Sequence, residues 1–325
     1  MLAVSTLYFI KSIRHSKMDR RSFQRIRQKE KGIMNSEQNR LLIVDSMALL
    51  FRGFYATYGF GSVMQTTSGL YTNAIYQYIK YLLDAVEKFE PTHIICATDM
   101  GKATFRNELY PAYKANRGEP PLELLPQFNL VQEVAESFDI PFVGLSGYEA
   151  DDVMGTFSKK YACKDTHVYI LTGDGDTLQL LDDHISVIMM KKGFGNYDLI
   201  SLQDFQKKKG LEHPSQIIEL KGLMGDPSDN IPGCPNVGPK TAEKLLQAYG
   251  SIDGVFDSIH EISGKLQQRL IENKEQIYLS RKLAAIDTLV PLDCVWESSP
   301  CTFNHEKIRR MFERFEFNSL VKLLA

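Results

Sequence analysis

The feature that most limits the possible folds is a short apolar run that leads into an aspartate, which occurs three times before residue 175. The runs and their aspartates are residues 41–44 with Asp45, residues 92–98 with Asp99, and residues 167–172 with Asp174. Continuous apolar runs of this length are typical of strands buried on both faces in a parallel sheet. A segment with helical periodicity, residues 72–89, separates the first two runs. The chain is therefore predicted to be an α/β protein with a mainly parallel central sheet flanked by helices.

A cluster of three carboxylates follows a fourth apolar segment, at Glu149, Asp151 and Asp152. Neighbouring carboxylates repel each other by roughly 1 kcal/mol per pair at 4 Å in water, and by more inside a cleft. Alone, the cluster fits a solvated helix N-terminus as well as a metal site, and a single aspartate after a strand is commonly a helix cap. In open α/β sheets, however, ligands bind beyond the carboxyl ends of the strands. Four acidic strand ends would converge there, which favours a divalent metal, Mg²⁺ or Mn²⁺ rather than zinc.

Two other segments have the composition of nucleic-acid-binding surfaces. Residues 101–118 mix basic with aromatic side chains, as expected where charge and stacking hold a single strand; the alternative is an amphipathic helix whose aromatics pack on the core. Residues 222–241 are rich in Gly and Pro, contain Asp226 and Asp229, and end where a helix begins beside Lys240. Backbone N–H groups at such a helix N-terminus bind phosphate, although a plain connection between two helices can have the same composition.

Composition excludes several other classes of protein. At 325 residues, 43% hydrophobic and 24% charged, the chain has an ordinary globular composition for one or two domains. Its five cysteines are scattered without a CxxC pair, which indicates reduced cytosolic thiols rather than disulfides or a zinc site. No apolar run approaches the roughly 18 residues that span a bilayer. We therefore expect a cytoplasmic protein without a membrane partner.

The charge is unevenly distributed along the chain. Residues 1–33 hold nine Lys and Arg against two acidic residues, a local charge of +7 that leaves −9 for the rest of the −2 total. An apolar stretch precedes these basic residues, an order that does not fit a secretory signal. We predict a basic, disordered N-terminal extension, with Met34 resembling a translation start. A nucleic-acid-binding arm and a transit peptide are the alternatives.

From residue 41 onward the chain resembles the 5′-nuclease family, which includes the 5′→3′ exonuclease domain of bacterial DNA polymerase I, phage 5′ nucleases and flap endonucleases. Five blocks in order carry the resemblance: Leu-Ile-Val-Asp at 42–45, Thr-Phe-Arg at 104–106 with Tyr-Lys-Ala-Asn-Arg at 113–117, Gly-Tyr-Glu-Ala-Asp-Asp at 147–152, Thr-Gly-Asp-Gly-Asp at 172–176, and Met-Gly-Asp-Pro-Ser-Asp-Asn-Ile-Pro-Gly at 224–233 with Val-Gly-Pro-Lys-Thr at 237–241. Because no polymerase domain fits in the remainder, the chain is most similar to the stand-alone bacterial 5′→3′ exonucleases.

The resemblance implies a role for each residue that matches a family motif. Divalent metal would be bound by nine carboxylates: Asp45, Asp99, Glu149, Asp151, Asp152, Asp174, Asp176, Asp226 and Asp229. Of these, Asp99 and the 149–152 cluster would lie towards the first, catalytic ion, and Asp226 and Asp229 would serve the second. Three catalytic residues would grip the scissile phosphate and the 5′ strand: Tyr113, Lys114 and Arg117. DNA would also be bound by Arg106, Gly233, Val237, Gly238, Lys240 and Thr241, in a loop that often holds K⁺ in this family.

The resemblance also implies the organisation and the activity. A PIN/5′-nuclease-like α/β domain would span residues 34–205, with a helical arch at 101–125, and a helical domain with a helix–three-turn–helix motif would span residues 206–325. The expected activity is metal-dependent 5′→3′ exonuclease and 5′ flap endonuclease cleavage of DNA, with RNA primers as further candidates. A monomer would use two or more Mg²⁺ ions, with Mn²⁺ as a substitute, on flaps, nicks and single-stranded 5′ ends. The alternative is a catalytically weak DNA-structure-binding protein of the same fold.

The family pattern is broken at two positions beside the predicted carboxylates. Ser46 stands where the family often has Gly, and Gly175 stands where it commonly has Lys. A single-domain ribonuclease is a third, weaker possibility, which the duplex-binding loop after Gly233 disfavours.

Overall fold

A six-stranded sheet forms the centre of the protein. The computed structural model describes residues 38–58, 63–101, 103–209, 211–293 and 300–322, so the predicted N-terminal extension lies outside the described residues. The strands are β1 (Asn39–Asp45), β2 (His93–Ala97), β3 (Phe142–Val143), β4 (Thr166–Thr172), β5 (Ile185–Met190) and β6 (Tyr197–Ile200). Their order is β3-β2-β1-β4-β5-β6, and every pair is parallel except β5 with β6. The predicted mainly parallel α/β sheet is confirmed.

The central strand β1 is buried on both faces, which explains its unbroken apolar run. Leu42 and Val44 belong to one core cluster, and Leu41 and Ile43 belong to another. All four side chains are fully buried. Because side chains alternate along a strand, these two clusters define a first face of the sheet, on the side of Leu42, and a second face, on the side of Leu41.

Helices cover both faces. The first face carries α1 (Ser46–Tyr55), α2 (Asn73–Phe89) and α4 (Leu125–Ser137), while α3 (Phe105–Leu109) is a short helix between α2 and α4. The second face carries α5 (Ala150–Tyr161), a 3₁₀ helix (Gly175–Leu180) and α6 (Leu202–Lys209). As its periodicity predicts, α2 buries Ile75, Ile79 and Leu82. Among the described residues, no helix is both long enough and apolar enough to cross a membrane.

A set of helices follows α6 and packs on the second face. It comprises α7 (Gln216–Met224), α8 (Pro239–Tyr249), α9 (Ile252–Asp257), a 3₁₀ helix (Ile259–Glu261), α10 (Gly264–Glu272) and α11 (Lys274–Ala284). Leu223, Leu246 and Ile277 join these helices to the core cluster that contains Leu41. We call the segment from α7 to α11 the helical unit.

Two features of the structure differ from a simple division of the chain at residue 206. The boundary between residues 205 and 206 falls inside α6, whose Phe205 is buried in the second-face cluster. In addition, α12 (His305–Arg314) and α13 (Asn318–Val321) return to the first face instead of joining the helical unit. The ring of Phe138 in the turn after α4 lies 5.2 Å from that of Phe303, and Phe312 is fully buried beside them. The apolar stripe of α12 needs an apolar surface, and the first-face cluster supplies it.

Candidate metal and DNA site

The predicted strand-end carboxylates meet in one cleft at the carboxyl edge of the sheet. Its volume is about 360 Å³. Five carboxylate side chains line it: Asp45 from the end of β1, Asp99 after β2, Glu149 and Asp151 at the start of α5, and Asp174 after β4. Lys114 and Arg117 also line the cleft, together with the apolar Met47 and Phe51 of α1. The cleft thus combines clustered negative charge with two facing cations.

Neutral donors position three of these carboxylates. The Asp45 carboxylate caps α1 by accepting the Ala48 N–H at 2.9 Å, and it also accepts the Thr172 hydroxyl at 2.7 Å. The Asp99 carboxylate accepts the Ala150 N–H at 2.9 Å, and that of Asp174 accepts the Asp176 N–H at 2.9 Å. Each carboxylate therefore keeps lone pairs for a further ligand, because a carboxylate offers about four acceptor positions.

Burial and mutual repulsion make these carboxylates hard to ionise. Burial raises the pKa of Asp45 to about 6, with Asp99 and Asp174 adding to the effect against the hydrogen bonds from Ala48 and Thr172. Burial, followed by the charges of Asp174 and Asp45, also raises the pKa of Asp151 well above its ordinary value. Lys114 and Arg117 therefore do not offset all of the negative charge at Asp45 and Asp151, and a divalent ion would supply further positive charge.

A second group of carboxylates is already paired with basic side chains. The Lys114 ammonium lies 2.9 Å from a Glu149 oxygen, and the Arg117 guanidinium lies 2.5 Å from an Asp229 oxygen. The buried Tyr113 hydroxyl lies 3.2 Å from both carboxylates. These contacts bring Asp229, which lies between α7 and α8, across to the start of α5.

Lys221, in the last turn of α7, is a site residue that the sequence analysis missed. Its ammonium contacts the Asp176 carboxylate directly and lies 2.5 Å from an Asp226 oxygen. Burial alone would lower the pKa of Lys221, but Asp176 and Asp226 raise it above its ordinary value. No sequence pattern marks a single lysine on a helix as a site residue. The contact of Lys221 with Asp176 follows only from the packing of α7 against the 3₁₀ helix.

The structure corrects the predictions for Asp152 and Arg106. Both Asp152 oxygens accept hydrogen bonds from the Arg106 guanidinium at 2.8 Å, and Asp152 is fully buried, so it does not line the cleft. Arg106 is only 2% exposed and also donates to the carbonyls of Leu283 and Ala285. A guanidinium with these partners is not available to DNA. The pair instead joins α3, α5 and the end of α11.

The predicted helical arch is a short helix followed by turns. After α3, residues 111–116 form turns, and Lys114 has a φ of 55°, in the left-handed region that non-Gly residues rarely adopt. Its backbone N–H donates to the Asp229 carbonyl at 2.9 Å, and the Asn230 side chain donates to the Ala112 carbonyl at 2.6 Å. Lys114 and Arg117 therefore share a direction because this segment docks on residues 226–230, and not because they share a helix face.

The loop between α7 and α8 divides the predicted DNA-binding residues into two groups. Gly233 and Val237 are buried, and the Gly233 N–H donates to the Ser280 hydroxyl at 2.9 Å. Gly233 has a φ of 59°, and a Cβ there would lie 2.1 Å from the Gly225 nitrogen, so only glycine fits. By contrast, Gly238 and Lys240 are exposed where Gly238 precedes α8 and Pro239 opens it. Gly233 and Val237 therefore shape the loop, while Gly238, Lys240 and the half-buried Thr241 face outward.

The donor set fits a hard divalent cation, because it consists of carboxylates on rigid elements. In the described part of the chain, however, no three His, Cys, Asp or Glu side chains converge closely enough to hold one ion. Lys114, Arg117 and Lys221 occupy carboxylates that would otherwise be free to turn inward. Binding an ion therefore requires side-chain rotations and, at the paired carboxylates, displacement of a cation.

Sequence comparison identifies the class of protein. Residues 40–210 match the N-terminal resolvase-like domain of 5′-3′ exonuclease, and residues 212–307 match the 5′-3′ exonuclease C-terminal SAM fold. The chain therefore belongs to the 5′-3′ exonuclease family, a family of nucleases. A similar protein of this class is the 5′-3′ exonuclease of Bacillus subtilis (strain 168), 41% identical over 286 residues that cover 88% of this chain and 96% of that protein. DNA polymerase I of Streptococcus pneumoniae serotype 4 is 40% identical over 257 residues, 79% of this chain but 29% of the polymerase.

Solved structures show the same fold. Phage T5 5′-exonuclease, solved with bound divalent metal ions (zinc), has a TM-score of 0.61 at 23% identity and covers 88% of this chain and 100% of that chain. The catalytic core of Rad2 in complex with DNA substrate has a TM-score of 0.56 at 14% identity, covering 89% of this chain and 93% of that one. The family match and the 41% identical 5′-3′ exonuclease, rather than these structures, confirm the predicted family and favour the nuclease over a non-cleaving DNA-binding protein.

Proposed function

We propose that this nuclease hydrolyses phosphodiester bonds of DNA in the 5′→3′ direction, at 5′ flaps, nicks and single-stranded 5′ ends, in replication and repair. The observation that carries the proposal is the cleft in which carboxylates from four separate strand ends face Lys114 and Arg117. Clustered carboxylates bind divalent ions, and facing cations bind a phosphate. Phosphodiester hydrolysis needs both.

The carboxylates divide into two ion positions. Asp45, Asp99, Glu149 and Asp151 would hold the first ion, Asp226 and Asp229 the second, with Asp174 and Asp176 between them. We propose Mg²⁺ as the natural ion, with Mn²⁺ as a substitute. Two such ions, when bound, activate water and neutralise charge on the attacking and leaving oxygens. Asp152 would not bind an ion directly, because Arg106 donates to both of its oxygens. Its carboxylate also accepts the Glu149 N–H at 3.0 Å, and this hydrogen bond positions the start of α5.

Lys114 and Arg117 would bind the scissile phosphate. In the absence of substrate their partners are Glu149 and Asp229. Once released from Glu149 and Asp229, the ammonium and the guanidinium would donate to a phosphate oxygen, where charge develops during cleavage. Tyr113 lies behind them and positions Glu149 and Asp229 through its hydroxyl group, without reaching the cleft itself.

The exposed start of α8 would hold duplex DNA. Gly238 and Lys240 are exposed at the helix N-terminus, where the Lys240 ammonium and the Thr241 hydroxyl supply donors. Such a site contacts the sugar-phosphate backbone and so binds without base specificity. A K⁺ ion in the loop 233–238 is part of this proposal. We further propose that the protein is monomeric and cytoplasmic, and that it joins the nucleoid when bound to DNA.

A cleavage assay tests the proposal. A duplex with a 5′-labelled single-stranded flap is incubated with the protein in Mg²⁺ and, in parallel, in EDTA. We expect short labelled products in Mg²⁺ and none in EDTA, and none in either condition for Asp151→Asn. Flap binding without cleavage in Mg²⁺, or equal cleavage in EDTA, would contradict the proposal.

A further inference from the structure

The carboxylates of the site differ in the charge of their partners. Asp45, Asp99 and Asp174 accept hydrogen bonds from neutral groups, namely a hydroxyl and three backbone N–H groups. Asp176 and Asp226 instead share the ammonium of Lys221. The two ion positions therefore differ. At the first, Asp45 and Asp99 have neutral partners and Glu149 contacts the Lys114 ammonium, whereas at the second the single ammonium of Lys221 contacts both Asp226 and the neighbouring Asp176.

Lys221 is enclosed in a way that makes this contact persistent. Its side chain is 15% exposed, and those of Asp176 and Asp226 are 14% and 12% exposed. The other Asp226 oxygen accepts the Ser228 hydroxyl at 2.6 Å and the Ser228 N–H at 2.8 Å. Asp226 is thus fully engaged, with Ser228 on one oxygen and Lys221 on the other. An ion that approaches Asp226 from the side of Asp176 meets the ammonium first.

We propose that Lys221 is a built-in counter-ion of the second metal position, which competes with the ion for Asp176 and Asp226. The inference rests on the ion positions assigned under the proposed function. The ammonium holds the two carboxylates together while no ion is bound, which prevents their repulsion from opening the site. It must leave before an ion can bridge them. The second position therefore binds its ion more weakly than its carboxylates alone would.

The competition has two opposite consequences for one substitution. Lys221→Met removes the competitor, so the affinity of the second position for an ion rises. The same change leaves two partly buried carboxylates without a counter-ion, so the metal-free protein becomes less stable. If Lys221 had only a packing role, Lys221→Met would lower the stability of the metal-free protein without raising the affinity for the ion.

The test is calorimetric titration of Mn²⁺ into the full chain without DNA, after removal of metal. We expect two classes of site in the wild type, and for Lys221→Met a gain of about tenfold or more at the weaker class, the factor that one charge-assisted hydrogen bond is worth. Lys221→Arg keeps the charge, so the weaker class stays weak. Unchanged or weaker binding by Lys221→Met would overturn the proposal.

Two further variants separate the causes. Asp226→Asn removes the second position, so the weaker class should disappear; if it persists unchanged, the assignment of the ion positions is wrong, whatever Lys221 does. Lys307→Met is the matched control, because Lys307 also pairs with an aspartate, Asp139. Asp139 precedes β3, so this pair lies at the amino ends of the strands, opposite the edge that carries the cleft. A tenfold gain in this control would show a general charge effect and would overturn the role of Lys221.

A wild-type measurement makes the test independent of whether Lys221→Met folds. Crystals grown without divalent metal and crystals soaked in Mn²⁺ are compared at Lys221. We expect the ammonium between Asp176 and Asp226 in the first, and an ion in that place with the ammonium displaced in the second. An ion bound to Asp226 while the ammonium keeps both carboxylate contacts would overturn the proposal.

Discussion

The buried carboxylate of Asp45 shows how a single residue links metal binding to stability. Its pKa is about 6 in the folded protein, against 3.8 when unperturbed, chiefly because of burial. Since the folded pKa is the higher one, the folded state holds the proton more tightly than the unfolded state. The resulting stabilisation is complete below the unfolded pKa and is lost as the pH rises through about 6. At neutral pH, the metal-free protein therefore contains an energetically unfavourable buried negative charge at Asp45.

Asp45→Asn should remove this unfavourable charge while keeping the helix cap, because asparagine caps a helix as well as aspartate does. In EDTA at pH 7.5, we expect the variant to be more stable than the wild type by roughly 1–3 kcal/mol. The difference should vanish well below the unfolded pKa of 3.8, where the Asp45 side chain is neutral in both the folded and the unfolded state, and should reverse in saturating Mg²⁺. Denaturant unfolding under these three conditions checks the expectation, and a wild type that is the more stable protein in EDTA at pH 7.5 would contradict it.

Lys114→Ala separates a catalytic role from a packing role at the mouth of the cleft. Removing one donor that stabilises developing charge lowers a rate by about 10²-fold or more. We expect that loss in single-turnover cleavage of a flap duplex, with a nearly unchanged melting temperature. Lys307→Ala, at the opposite edge of the sheet, is the control and should cleave normally. Normal cleavage with a lowered melting temperature in Lys114→Ala would indicate that the residue serves packing instead.

The residues of the site differ in how far the sequence could predict them. Asp45, Asp99 and Asp174 were predictable, because a parallel sheet brings its strand ends together whatever the loops do. Lys221 was not, because its role depends on the docking of α7 against the 3₁₀ helix at Gly175–Leu180. The burial of Arg106 was equally invisible, since its partners at Asp152 and Leu283 lie 46 and 177 residues away.

Among the elements, α3, α5 and α11 are joined by the single guanidinium of Arg106. It pairs with Asp152 in the first turn of α5 and donates to the Leu283 carbonyl, in the last turn of α11, at 2.9 Å. A helix leaves its last four carbonyls without internal partners, and Arg106 satisfies one of them. The start of α5, beside Glu149 and Asp151 of the cleft, is therefore joined directly to the helical unit.

Breaking this tie should be costly. Arg106→Met leaves Asp152 buried without its counter-ion, so we expect a loss of about 3–5 kcal/mol in the free energy of unfolding. The double variant Arg106→Met with Asp152→Leu should lose much less than the sum of the two single changes. Denaturant unfolding of the four proteins in a double-mutant cycle measures the coupling. Additive losses would show that the pair does not act as one unit.

The start of α8 provides a test of duplex binding at a single element. Lys240→Ala should weaken the affinity for duplex DNA similarly across sequences and should lower the slope of log affinity against log salt by about one unit. Fluorescence anisotropy in EDTA at several salt concentrations measures that slope. Lys307→Ala should leave it unchanged. An unaltered slope in Lys240→Ala would mean that the loop has a structural role only.

Residues 101–125 show why the type of element was harder to predict than its location. The mixture of bases and aromatics marked the segment correctly as one that faces the site. Its conformation depends on contacts with residues 226–230, which lie more than 100 residues away in sequence, and these hold Lys114 in the left-handed region. Local periodicity carries no information about such a partner.

For the whole molecule, the important feature is that the chain leaves the α/β core and later returns to it. The helical unit packs on the second face, and α12 then packs on the first face through Phe312. Phe312→Ala should destabilise the protein by about 3–5 kcal/mol, the usual cost of a cavity of this size. Leu289→Ala, at a side chain that is 86% exposed, should change stability by less than about 0.5 kcal/mol. Thermal and denaturant unfolding compare the two, and equal effects would contradict the assignment of α12 to the core.

Strands β1, β2 and β4 were predictable because each contains a continuous apolar run, whereas β6 (Tyr197–Ile200) contains an aspartate and has no such run. The return of α12 was not, because an amphipathic helix shows that it packs but not which surface it packs on. The sequence therefore grouped α12 and α13 with the helical unit, whereas their apolar side chains pack in the first-face cluster.

The return of α12 also sets the order in which the protein can be completed during synthesis. The ribosome makes β1 to β6 first, then the helical unit, and only afterwards the segment that covers Phe138. Domains generally fold from the N-terminus as they emerge, but here the first-face core stays open until residues 303–320 have been made. The nascent chain thus carries an exposed apolar surface through most of its translation, and a late-arriving segment closes it.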